Sequence, residues 1–251
     1  RESGEEYPWS DDPILQKGRF LNVFREDDKV SKSIIKFAEP AKEDLPLLIQ
    51  ALFFGRWCNR DSTIDKLSLD DLADPEALKE KLLGLEQWEN STAYPVEDSY
   101  WGDKLYNRID ASTNKFFEKK EELVELVLNS SRNVITATEN INKQFKMANN
   151  FPIFMALIDI AWFREDVIPI TTDVPTGIGA EPYLDRLQKF LNLNNHQDVG
   201  TKMIELQKKF WPEAKREFYP IDIEYQSCEC RKYFSYVNGT KKFEGKNLFT
   251  I

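Results

Sequence analysis

The sequence predicts a mainly α protein. Three observations predict it: apolar residues recur at helical spacing, strand-like alternation is scarce, and the composition is that of a packed globular chain. Of 251 residues 41% are hydrophobic and 13% aromatic, with six Trp and seventeen Phe. A sizeable core is therefore available and disorder is not expected. Val30 to Ala38 places Val30, Ile34, Ile35 and Ala38 on one helical face. Leu45 to Trp57 (LPLLIQALFFGRW) is apolar all round, which predicts a buried helix. Asn114 to Leu128 spaces Phe116, Phe117, Leu123, Leu126 and Val127 helically between charges, and Ile153 to Phe163 (IFMALIDIAWF) predicts a second buried helix. Tyr183 to Leu193 and Thr201 to Trp211 are amphipathic, each closed by a polar or Pro-bearing linker. Residues 64–110 and 164–182 are rich in Pro, Gly, Asp and Asn and are expected to turn. Strand signals are confined to Phe218–Tyr225 and Tyr233–Val237, so at most a short C-terminal β-ribbon is expected, turning at Asn238-Gly239. A single helical domain over residues 1–251 is expected, with two lobes at about 1–130 and 131–251 as its natural division.

Composition narrows the chemistry. No run of eighteen apolar residues exists, so no membrane span is expected. The first residues, RESGEEYPWSDDP, are charged and carry no apolar signal core, so no secretion signal is expected. Cys58, Cys228 and Cys230 are a poor disulfide framework, which points to a reducing, cytoplasmic setting. With one histidine, His196, and no Cys-x-x-Cys pair, neither a zinc site nor a histidine triad is expected. The chain has no G-x-x-x-x-G-K-[ST], no G-x-G-x-x-G and no G-x-S-x-G. No nucleoside triphosphate, cofactor or metal is expected, and carboxylates must carry any acid–base chemistry. The formal charge of −9 argues against nonspecific coating of nucleic acid. Residues 201–251 nevertheless hold ten basic against seven acidic residues, a net of +3, leaving −12 on residues 1–200. A basic last fifth permits a local phosphate-binding face and also fits ordinary solvated surface. A monomer is expected.

Several polar constellations stand out. In Arg19-Phe-Leu-Asn22-Val-Phe-Arg25-Glu-Asp-Asp28, helical spacing would align Asn22, Arg25 and Asp28 on one stripe. That array suits a base edge and equally suits a surface ion-pair stripe. Arg56-Trp57-Cys58-Asn59 follows the first apolar helix, with Trp57 a candidate to stack on a base. Asn150 to Ile153 opens the second buried helix, where backbone N–H groups suit a DNA phosphate, and Asp173 follows that helix. Gly177 and Gly179 lie in Thr176-Gly-Ile-Gly-Ala180, a small-residue loop that also offers backbone donors before a helix. Asp222-Ile-Glu224 precedes Glu229 and Lys232, whose i,i+3 spacing also fits a simple ion pair.

The segment from Asn150 through Ala156 to Asp173 resembles the helix-hairpin-helix DNA glycosylases, which carry a catalytic Asp shortly after such a helix. Asn150 and Pro152 stand where hairpin glycines occur in that family, and Phe154 stands at the position of a Schiff-base lysine. The resemblance therefore implies water as nucleophile and no lyase step. Arg-Phe-x-Asn-Val-Phe-Arg-x-x-Asp, Arg-x-x-Asn, Phe-Met-Ala, Gly-x-Gly-Ala and Asp-Ile-Glu with Cys-Glu-x-x-Lys-Tyr occur in that order. Over roughly residues 12–245 this resembles the α-glutamyl/putrescinyl-thymine pyrophosphorylase family and the related helical domain of hydroxymethyluracil DNA kinases. Leu21, Ile178 and Leu157-Ile158 depart from the pattern. The resemblance implies chemistry on 5-substituted pyrimidines in DNA, in phage thymine hypermodification or in defence against phages with glucosylated hydroxymethylcytosine. It assigns catalysis to Asp173 with Asn22 and Arg25. Substrate binding falls to Asp28, Arg56, Trp57, Asn59, Glu224, Glu229 and Lys232, and phosphate binding to Asn150, Ile153, Gly177 and Gly179. A monofunctional glycosylase, a transferase displacing diphosphate from a 5-diphosphomethyl pyrimidine, and a non-catalytic reader of modified bases all fit.

Overall fold

The structure, a computed structural model, describes residues 10–18, 20–90, 97–147, 150–177 and 179–242, and it is mainly helical. The chain divides into two compact units. One is Glu26–Pro175; the other joins Arg1–Arg25 to Thr176–Ile251. A first short helix, α1 (Pro13–Lys17), starts where the Asp12 carboxylate accepts the Ile14 N–H.

Unit Glu26–Pro175 is built around one helix. Helix α2 (Lys29–Ala38) is capped by Asp28, which accepts the Ser31 N–H at 3.1 Å. Helix α3 (Leu45–Cys58) is capped by Asp44, and every residue from Leu48 to Cys58 is buried. An all-round apolar helix must be wrapped by others, and α3 is. The short α4 (Asp61–Ile64) and then α5 (Pro75–Leu83) follow, then a hairpin of β1 (Ser99–Trp101) and β2 (Lys104–Tyr106) paired antiparallel. Gly102 turns the hairpin with φ 58°, a left-handed conformation that glycine adopts freely. Next come α6 (Arg108–Ser112), α7 (Asn114–Leu128), α8 (Val134–Phe145) and α9 (Phe151–Ala161). Helices α2, α7 and α9 pack on α3. At Gly55 the approach of α2 is so close that a Cβ would lie 3.1 Å from two Ile34 carbons. Phe53, Trp57, Phe116 and Phe145 fill the centre with ring centroids 5.0–6.5 Å apart.

The other unit has its own small core. Helices α10 (Glu181–Leu191), α11 (His196–Phe210) and α12 (Pro220–Val237) bury Ala180, Leu184, Val199 and Ile223 together. The N-terminal segment completes it. Tyr233 of α12 donates its hydroxyl to Asp12, and Phe24 packs between Trp211 and Phe218.

Three expectations are corrected. The anticipated C-terminal ribbon is the eighteen-residue helix α12, and the hairpin lies at Ser99–Tyr106, inside the stretch read as turns. That stretch also holds α5. Residues 20–24 are not helical and a single 3-10 turn spans Arg25–Asp27, so Asn22, Arg25 and Asp28 share no helical stripe. Helix α8 answers to no predicted element. Among the described residues no helix is long and apolar enough to cross a membrane.

Candidate functional site

In the unit containing α12, the helix starts because Pro220 supplies a pre-set φ and Asp222 reaches back to the Tyr219 N–H at 2.8 Å. Asp222 is fully buried and also accepts the Arg25 N–H at 2.9 Å and a bidentate Arg216 at 2.6 and 3.1 Å. This anchors residues 20–25, which are irregular up to the 3-10 turn at Arg25, along the helix. Further on, Glu229 accepts the Leu21 N–H at 3.1 Å, and Gln226 donates to the carbonyls of Asn22 and Val23 at 3.0 and 3.1 Å. The buried Arg25 guanidinium lies 4.9 Å from the Tyr225 ring centroid.

Glu224 lies one step from Tyr225 on the same helix, 6% exposed. Burial pushes its carboxyl up to about 7, against the opposing pull of the Gly177 N–H and of Arg25. Gly177 permits this contact, because a Cβ there would stand 3.2 Å from Glu224 Oε1. At Gly179 a Cβ would stand 2.6 Å from Cys228 Sγ. The two glycines thus let the 176–180 loop lie against α12, and a side-chain carboxyl receives the Gly177 N–H. Burial and the neighbouring carboxylates also raise the Cys228 thiol.

This arrangement brings together Arg25, Glu224 and Gly177, and a turn or more along the helix Glu229 with Lys232, paired at 2.6 Å. Asn22 is exposed at its edge. The other expected residues lie in unit Glu26–Pro175. Asp28 is a helix cap. Arg56 is completely buried, with Nε and Nη2 on Asp159 at 2.5 and 2.7 Å and Nη2 on Ser31 at 3.0 Å. Trp57, 1% exposed, is enclosed by Phe53, Phe116, Phe145 and Lys115. Arg56 is thus held in a buried ion pair, and Trp57 is packed among rings with 1% of its surface exposed. Asn59 closes α3 in a left-handed conformation, φ 44°, and is buried. Asn150 is exposed before α9, whereas Ile153 is fully buried and offers only its backbone. Asp173 is exposed beyond α9, next to Thr172, whose hydroxyl accepts the Val134 N–H at 3.2 Å.

Sequence reading missed Asp222 and Arg216 as organisers. A signal was present: Tyr219-Pro220 followed by Asp222 is a helix start, and reading 218–225 as a strand obscured it. Among the described residues no group of three or more His, Cys, Asp and Glu is arranged to hold a metal.

The family described as "5-hmdU DNA kinase, helical domain" matches this chain over residues 1–59. That span contains Asn22, Arg25, Asp28, Arg56, Trp57 and Asn59, and it supports a relation to that helical-domain family. No curated protein and no solved structure matches.

Proposed function

We propose that this protein acts in modified-thymine DNA metabolism, as a monofunctional glycosylase that removes a bulky 5-substituted pyrimidine and leaves an abasic site. The observation that carries the substrate class is the match of residues 1–59 to the helical domain of a 5-hmdU DNA kinase. The target nucleotide would leave the duplex at a cost of a few kcal/mol. Cleavage of the N-glycosidic bond then develops positive charge on the sugar, as in glycoside hydrolysis, and calls for a carboxylate. The exposed Asn22 and the buried Arg25 are the amide and guanidinium proposed to meet the edge of an extruded base. Gly179 is a loop donor proposed for a phosphate, as are the first N–H groups of α9 after Asn150, whereas the Gly177 N–H already meets Glu224.

One observation favours base excision over displacement of diphosphate by an amine. A diphosphate calls for several accessible cations, and two of those available by sequence are engaged internally: Arg56 on Asp159 and Lys232 on Glu229. The test incubates the protein with DNA carrying 5-hydroxymethyluracil, DNA carrying glucosylated hydroxymethylcytosine, and unmodified DNA. Alkali cleavage scores abasic sites and mass spectrometry identifies what is released. Base release confined to modified DNA supports the reading. A heavier base with its glycosidic bond intact replaces it with the transferase, and bound but unaltered DNA replaces it with a reader.

A further inference from the structure

We infer that Glu224, rather than the exposed Asp173, is the carboxylate that takes the proton from the attacking water. The inference rests on the glycosylase reading above and assigns a step within it. A general base must be held rigidly and be partly desolvated without being tied up in a salt bridge. Glu224 meets these conditions. It sits on α12, is buried to 6% exposure, receives the Gly177 N–H and lies in the field of Arg25. Glycine at 177 leaves room for that setting, since a Cβ would stand 3.2 Å from Oε1 and press on it. The other acids of the same helix are engaged. Asp222 is neutralised by Arg216, and Glu229 by Lys232. Asp173, by contrast, is open to solvent at the end of a loop.

In the step, the water oxygen bonds to C1′ of the sugar as the bond from C1′ to the pyrimidine nitrogen breaks. The electron pair of that bond leaves with the base. Glu224 receives a proton from the water and returns it to the departing base, so atoms and charge balance without a further reactant. Arg25 is a positioning residue that favours the ionised carboxyl. Burial raises the Glu224 carboxyl, and the Gly177 N–H on the loop and Arg25 on the N-terminal segment pull it back, with the Cys228 thiol one turn along the helix. Their balance places ionisation at about 7, so base release is expected to rise through neutrality and level off above it.

Single-turnover base release from modified duplex DNA, measured from pH 5.5 to 8.5, tests this with the wild type, Glu224→Gln and Asp173→Asn. The expected result is a loss of about a hundredfold or more in Glu224→Gln, with the rise through neutrality gone and DNA binding by fluorescence anisotropy retained. A melting temperature at pH 8 no lower than wild type shows that the variant is folded, because the replacement removes a buried ionised group. A Glu224→Gln enzyme within tenfold of wild type that keeps the pH rise overturns the inference and leaves the glycosylase standing. Base release lost only in Asp173→Asn does the same. No base release by the wild type from any modified DNA overturns the glycosylase reading and this step with it.

Discussion

At the scale of single residues, the clearest conflict between a side chain and its surroundings is Lys115. Its amine lies 3.9 Å from the Phe145 ring centroid, 4.8 Å from that of Trp57 and 5.0 Å from that of Phe116, and donates to Ser99 Oγ at 2.5 Å. Burial holds its pKa well below the ordinary value of 10.5. The unfolded chain therefore binds a proton that the folded chain does not, and stability rises with pH until the unfolded lysine loses its own proton. Lys115→Met is expected to raise the melting temperature at pH 7, by about 2–4 °C for each kcal/mol of penalty removed. It should also flatten the rise in stability between neutrality and about pH 10, read by thermal melts across that range. A melting temperature that falls at every pH would mean that the amine's ring contacts and its bond to Ser99 outweigh its desolvation. Arg56 teaches a related lesson. Its partner Asp159 is 103 positions away, so nothing local in Arg56-Trp57-Cys58-Asn59 distinguishes a buried ion pair from a ligand-binding cation.

At the scale of elements, legibility followed how cleanly each segment displayed its period. Helices α3 and α9 were readable because they are nearly continuous apolar runs bounded by polar residues. Helix α8 buries Val134, Ala137, Ile141 and Phe145 at helical spacing, but the Thr and Asn residues between them are weak helix formers and mask it. Helix α12 was misread for a different reason. It buries Ile221, Asp222, Ile223, Glu224 and Tyr225 in succession, with Ser227 and Glu229, so polar and apolar residues lie inside together and no apolar stripe remains. A helix that carries buried acids hides its own period, so Glu224, Glu229 and Lys232 stood out as residues while the helix that holds them did not. The seat of the 176–180 loop on that helix can be probed directly. Gly179→Ala would force its new methyl against Cys228 Sγ and is expected to lower stability by about 1–3 kcal/mol. Cys228→Ala in the same chain should recover much of the loss, because it removes the obstructing sulfur. Chemical denaturation of the two single variants and the double variant measures the coupling. Strict additivity would show that the loop and the helix do not meet at that atom.

At the scale of the whole chain, the two units differ in how they are assembled. Glu26–Pro175 is one continuous stretch with its own aromatic centre about α3, so residues 26–175 made alone are expected to melt cooperatively. A broad, non-cooperative transition in that fragment would show that its core depends on the rest of the chain. The unit holding Glu224 has no such independence. Bonds from Asp222, Gln226 and Glu229 of α12, about 200 positions later, hold residues 20–25. During synthesis Arg25 is made well before α12 and then waits while the ten helices α2 to α11 are made. Residues 20–25 therefore lack these partners until α12 exists, and a nascent chain halted between Pro175 and α12 holds the core about α3 without them. Under the glycosylase proposal such a product would lack Glu224 and leave DNA uncut, which would tie base release to the making of α12.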